Sequence, residues 1–280
     1  MLVSVSAGPH RFEVIPALRY QRHPDRPPWE SDLHLDLLVP RVASRTPLAI
    51  YFHGGGWRSG GRELAMYPWI SPLLAANGIA AASVSCRLTT SDPFPAQLDD
   101  ARAAVRWLRS QADAYNFDAG RIAVWGDSAG GHLALLLATQ RPTDEDPAVQ
   151  AAVARCAPTD FRGWHLADEN EPGSVFHGLF GGPNTTNSRL RAAASPAYHL
   201  DLSGSVPPPI LLCHGDRDET VPYSQSLDFA ERVRSLGGDL TLRTIPGGHH
   251  NLSGDPHAPW TDQPWEELGY EALRFFQRHV

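Results

Sequence analysis

From residue 48 onward short apolar runs alternate with segments of helical periodicity, and no other feature of the sequence restricts the fold as much. "LAIYFHGGG" (48–56), "IAAASVSCR" (79–87), "RIAVWG" (121–126), "VQAAVARCAP" (149–158), "PPILLCHG" (208–215) and "LTLRTIP" (240–246) read as strands. Between them lie helical patterns at 63–78, 94–116, 128–140, 224–237 and 265–280. A strand that is apolar along its whole length must be buried on both faces, which calls for a parallel sheet covered by helices on each side. The opening segments differ: "HRFEVIPALRY" (10–20) and "LHLDLLVP" (33–40) alternate with period two, as antiparallel edge strands do. Between Asp160 and Leu200 the rhythm stops, in a stretch rich in Gly, Pro and Asn that carries Phe161, Trp164, Phe176 and Phe180. So long a connection reads as a short cap over a site, against the plainer reading of a surface excursion whose aromatics pack on the body. With 280 residues, 42% of them hydrophobic, the chain is expected to form a single α/β domain over 1–280.

Composition excludes several functional classes. The net charge is -7 with no compensating basic block, which argues against nucleic acid or an anionic membrane as partner. No apolar run approaches the ~20 residues of a bilayer span. The opening "MLVSVSAGPHRF" has neither a basic start nor a long apolar core, so no signal peptide is expected. The three cysteines, Cys86, Cys156 and Cys213, lie in or beside strand-like runs and read as reduced, buried thiols of a cytoplasmic protein. A nucleophilic cysteine is the weaker alternative.

Two glycine motifs suggest chemistry. "GDSAG" (126–130) follows the strand "RIAVW" and opens a helix, the setting in which a serine is held on a tight turn at the edge of a sheet. Ser128 is therefore the candidate nucleophile, against the plainer reading of a helix N-cap. "HGGGW" (53–57) follows another buried strand, and its consecutive glycines free backbone N–H groups to converge on an oxyanion. Gly55 and Gly56, with the amide of Ala129, are the expected donors, Gly54 shapes the turn, and Trp57 is expected to wall the substrate pocket. A phosphate loop is the competing reading, but no G-K-[ST] follows. His53 and His132 read as structural.

"YFHGGGWRSGG", "GDSAGGHLALLLA" and "HGDRDETVP" together resemble the α/β-hydrolase superfamily. Within it they are similar to the HGGG-type carboxylesterases, including the hormone-sensitive-lipase-like group. The likeness is greater to the compact group of kynurenine formamidases and bifunctional feruloyl/acetyl-xylan esterases. It runs from about residue 20 to the C-terminus. It implies an eight-stranded, mostly parallel sheet and a Ser–acid–His triad in that chain order. The residues alone offer Asp216 and Asp218 as the acid; the pattern H-G-x-x-D-x-x-V-P selects Asp218 and leaves Asp216 to the turn. "GGHHN" (247–251) offers two histidines. One register of the family pattern selects His249, the other His250; the second also fits Asn251 and Leu252 and is preferred. The chain departs from the family twice: little room before residue 45 for a helical cap, and Gly56 where formamidases carry a bulkier residue.

The expected reaction is hydrolysis of small or short-chain acyl esters through an acyl-enzyme, with no cofactor and a small-molecule ester as partner. Amide hydrolysis of the aryl formamidase type uses the same residues and is the nearest alternative; a fold that only binds ligand is the farthest. A metal site gathering His214, Asp216, Asp218 and His249 or His250 lacks a recognisable ligand spacing, so no metal is expected. A homodimer is an option that the sequence does not decide.

Overall fold

The computed structural model describes residues 8–64, 70–143, 148–166, 170–182, 187–255, 257 and 265–280. The strands are β1 (Phe12–Arg22), β2 (Asp32–Pro40), β3 (Thr46–Phe52), β4 (Ala80–Val84), β5 (Phe117–Asp127), β6 (Ala151–Arg155), β7 (Ile210–Gly215) and β8 (Leu240–Ile245). The helices are α1 (Pro28–Ser31), α2 (Ile70–Ala76), α3 (Ala96–Ser110), α4 (Ala129–Thr139), α5 (Val175–Phe180), α6 (Ser188–Ala193), α7 (Pro196–Ser203), α8 (Ser224–Ser235) and α9 (Trp265–His279). The sheet has eight strands in the order β1-β2-β4-β3-β5-β6-β7-β8. β3 to β8 run parallel, and β1 and β2 pair antiparallel at one end.

Successive residues of a strand face opposite sides of the sheet. Leu48, Ile50 and Phe52 accordingly join one core with residues of α3, α4 and α8, while Ala49 and Tyr51 join a second with residues of α2 and α9. This two-sided burial is why the strands read as unbroken apolar runs. The two opening strands were both expected at an edge, but β2 lies inside the sheet between β1 and β4. Its leucines Leu33, Leu35 and Leu37 are buried, whereas β1 is largely exposed. The helix expected over 63–78 is observed as a single 3-10 turn, Arg62–Leu64, and then α2, with 65–69 outside the described residues. The 160–200 segment contains no strand among its described residues and folds into α5, α6 and the start of α7. Among the described residues no helix is long and apolar enough to cross a membrane.

Candidate active site

Ser128 occupies a one-residue turn between β5 and α4, with φ 51° and ψ -116°. That turn dictates the flanking glycines. A Cβ on Gly126 would stand 2.4 Å from the backbone of Gly130, and one on Gly130 would stand 1.9 Å from the carbonyl oxygen of Phe52. Only glycine fits where β3, β5 and the first turn of α4 approach this closely. The Ser128 N–H donates to the carbonyl of Arg155 on the neighbouring strand (2.7 Å). Its hydroxyl does not cap α4; it lies 3.0 Å from His250 Nε2.

His250 arrives on the loop after β8. Gly247 has φ 72°, and Asp216 Oδ1 accepts its N–H (2.7 Å), so Asp216 holds the turn. His250 Nδ1 lies 2.7 Å from Asp218 Oδ2. With Asp218 ionised, Nδ1 carries the proton, and Nε2 presents its lone pair to the Ser128 hydroxyl. His249 turns the other way and pairs with Glu219 Oε2 at 2.8 Å. The structure thus brings Ser128, Asp218 and His250 together and leaves Asp216 and His249 outside the group.

The carboxylate of Asp218 is fully engaged. Oδ1 accepts the N–H groups of Thr220 and Val221, both at 2.8 Å. Oδ2 accepts from His250 and also from His214 Nε2, at 3.0 Å. Burial alone would raise the pKa of Asp218, but the hydrogen bonds from His214 and His250 outweigh it and hold the carboxyl well below the usual range. His214 Nε2 faces two acceptors, Asp218 and the Val221 carbonyl (3.0 Å), so it must carry the hydrogen. Nδ1 then accepts from the Ser226 hydroxyl at 2.6 Å. Sequence reasoning considered His214 only as a metal ligand. The available signal was its place at the end of β7, four residues before the acid.

The glycine loop after β3 is also built by necessity. Gly55 (φ 112°), Gly56 (φ 60°) and Trp57 (φ 58°) are all left-handed. A Cβ on Gly55 would lie 2.3 Å from the Ser59 carbonyl oxygen. At Gly56 the nearest side-chain atoms, from Arg58 and Val175, are 3.7 Å away, so a Cβ there would meet them in ordinary van der Waals contact and the positive φ is what favours glycine. His53 donates Nδ1–H to the Gly54 carbonyl (2.8 Å), which pins the loop. Trp57 both lines the cavity and is buried. Its Nε1–H donates to His132 Nδ1 (3.2 Å), while His132 Nε2–H donates to the Ala194 carbonyl (2.6 Å). Burial pushes His132 down to about 4, keeping it in the neutral form that can accept and donate at once.

Ser128, His250, Gly55 and Gly56 open into one cavity of about 390 Å³. Trp57, Trp164, Leu166, Val175, Phe176 and Val221 form much of its wall, and none of the described lining residues is Asp, Glu, Lys or Arg. The Trp164 and Phe176 rings meet edge to face at 4.9 Å. The three thiols are buried; burial pushes Cys213 up to about 12 and Cys86 and Cys156 well above their ordinary value, which leaves them poor nucleophiles. Among the described residues one set of potential metal ligands comes together, Cys156, Asp218 and His250. It differs from the set considered from sequence, and two of its members already hydrogen-bond each other.

The parallel sheet and the strand–serine–helix turn define an α/β-hydrolase. A family model described as BD-FAE matches residues 35–233, and the chain belongs to that family. It is 29% identical over 215 residues to Esterase LipQ of Mycobacterium tuberculosis, covering 74% of this chain and 50% of that one. It is 31% identical over 212 residues to an ethyl acetate hydrolase of Pseudomonas putida, covering 72% and 65%. The chain spans about half the length of the first of these relatives. Among solved structures it is similar to Thermogutta terrifontis esterase 2 phosphonylated by cyclosarin. That likeness has a TM-score of 0.72 and 24% identity, covers 94% and 92% of the two chains, and speaks to the fold alone.

Proposed function

We propose that the protein is a serine carboxylesterase for uncharged esters of small or short-chain acids. The observation that carries this reading is His250, hydrogen-bonded at once to the Ser128 hydroxyl and to a carboxylate that its hydrogen bonds hold well below the usual range. Ser128 Oγ attacks the ester carbonyl and its proton passes to His250 Nε2; Asp218 supports the imidazolium. The N–H groups of Gly55, Gly56 and Ala129 receive the oxyanion. Collapse expels the alcohol with the proton from His250 and leaves an acyl group on Ser128. Water then attacks that ester, giving a proton to His250, which passes it to the departing Ser128 Oγ as the acid is released. No step needs a cofactor. The relatives named esterase and ethyl acetate hydrolase support ester chemistry.

The same residues would hydrolyse a formamide. The cavity wall favours the ester reading, because an amino-acid substrate such as N-formylkynurenine carries an ammonium and a carboxylate, and the described lining offers neither a counter-charge. A panel of p-nitrophenyl esters beside N-formylkynurenine tests both. The expected outcome is fastest turnover with acetyl and butyryl esters and little with the formamide. A maximum at acyl chains of about twelve carbons or more, which need a long apolar groove, or a preference for the formamide, contradicts this reading.

A further inference from the structure

The nucleophile and the base come from loops that follow β5 and β8, with β6 and β7 between those strands in the sheet. Their 3.0 Å contact has to be maintained across that span. On the face covered by α2 and α9, a buried cluster touches both loops. Arg155, opposite Asp127 in the β5–β6 register, accepts the Ser128 N–H with its carbonyl (2.7 Å). Its Nε makes an ion pair with Asp127 Oδ1 at 2.6 Å, and Asp127 Oδ2 accepts from the Tyr51 hydroxyl at 3.0 Å. The guanidinium lies over the ring of Trp265 at 4.7 Å and that of Trp125 at 5.2 Å. Trp265 in turn donates Nε1–H to the carbonyl of Asn251 (2.9 Å), the residue after His250.

We infer that Arg155 and Trp265 form a buried tie that fixes the separation of Ser128 and His250, with Asp127 anchoring its nucleophile end. They are positioning residues, and the inference rests on reading Ser128 and His250 as nucleophile and base. Fold stability alone does not account for such a group, because a buried ion pair is commonly replaceable by apolar side chains at no loss of stability. Planarity lets one guanidinium pair with a carboxylate at its edge and stack on indoles with its faces, which a lysine cannot do.

Trp265→Phe keeps an aromatic ring beside the guanidinium while removing the N–H that holds the loop of His250, together with part of the indole's volume. Turnover per active site, titrated with a phosphonate, should fall about tenfold with KM within about twofold, and the rate of phosphonylation should fall in parallel. Asp127→Asn, which frees the other end, should give the same signature, and it carries the test should Trp265→Phe not fold. The double variant should lose little more than the worse single, since both act through one tie. Unchanged turnover per titrated site with only a lower Tm, or losses that multiply, overturns the tie. Ser128→Ala measured alongside separates the two levels: if it is inactive while Trp265→Phe is normal, the tie alone fails; if it is active, the underlying reading fails.

Discussion

Ser128, Asp218 and His250 reach the sheet edge on loops that follow parallel strands, and hydrogen bonds fix both carboxylate oxygens of Asp218 and both ring nitrogens of His250. The segment over them is held differently. Phe161, Trp164, Phe176 and Phe180 contact one another ring to ring at 4.9–5.8 Å. The guanidinium of Arg191 lies near Phe176 and Phe180 (5.7 and 5.5 Å), and it also donates to the carbonyls of Phe161 and Trp164. Further links reach down to the body, among them Arg58 to the Gly173 carbonyl (2.9 Å), the Phe94 N–H to the Leu179 carbonyl (2.8 Å) and His132 to the Ala194 carbonyl. A directional hydrogen bond fixes an atom to within tenths of an ångström, as proton transfer needs. Ring packing tolerates exchange of one apolar shape for another. On the proposed function, the edge governs whether reaction occurs and the roof governs what fits.

The largest effects should therefore come from the edge. Ser128→Ala and His250→Ala should each lower turnover 10⁴-fold or more, and Asp218→Asn about 10³–10⁴-fold, with a residual rate from the oxyanion donors. His249→Ala should stay within about tenfold, since its partner is the exposed Glu219. A dead His249→Ala beside an active His250→Ala would invert the assignment. For the roof, Trp164→Ala should change turnover on acetyl esters by less than about tenfold while moving the optimum toward longer acyl chains, read from kcat/KM along a p-nitrophenyl series. Loss of all activity with unchanged preference would erase the distinction between edge and roof.

The smallest effect concerns the link between them. The folded-state pKa of His132 is depressed from 6.5 to about 4 by burial. The stability that this neutral imidazole contributes is thus fully present above about pH 6.5 and is lost as pH falls from 6.5 toward 4, a window in which the unfolded chain binds the proton more readily. Melting temperature should fall over that window, and His132→Gln should flatten part of the slope. An identical slope in the variant would remove His132 from the account.

Much of this was legible in the sequence for physical reasons. Burial on both sheet faces writes unbroken apolar runs, and tight backbone approaches write glycines, so the strands, the Ser128 turn and the Gly55–Gly56 loop could be read directly. His250 could be preferred over His249 only through a family register; the reason for the difference, Glu219 on one side and Asp218 on the other, is three-dimensional. β2 was misplaced to an edge because period-two alternation does not reveal how many neighbours a strand has. His214 could be read only as a metal ligand, and Arg155 was invisible as a site residue. Each looks like an ordinary strand-end residue until the fold brings Asp218 and Ser226 to one, and Asp127 and Trp265 to the other.

The central claim is that Ser128 forms the acyl-enzyme, and covalent labelling tests it most directly. After treatment with an organophosphonate, mass spectrometry of the intact protein and of its peptides should find one adduct, on the peptide containing Ser128, formed in step with loss of esterase activity and absent in Ser128→Ala. An adduct on another residue that tracks the loss of activity, or full inactivation with Ser128 unmodified, would contradict the account.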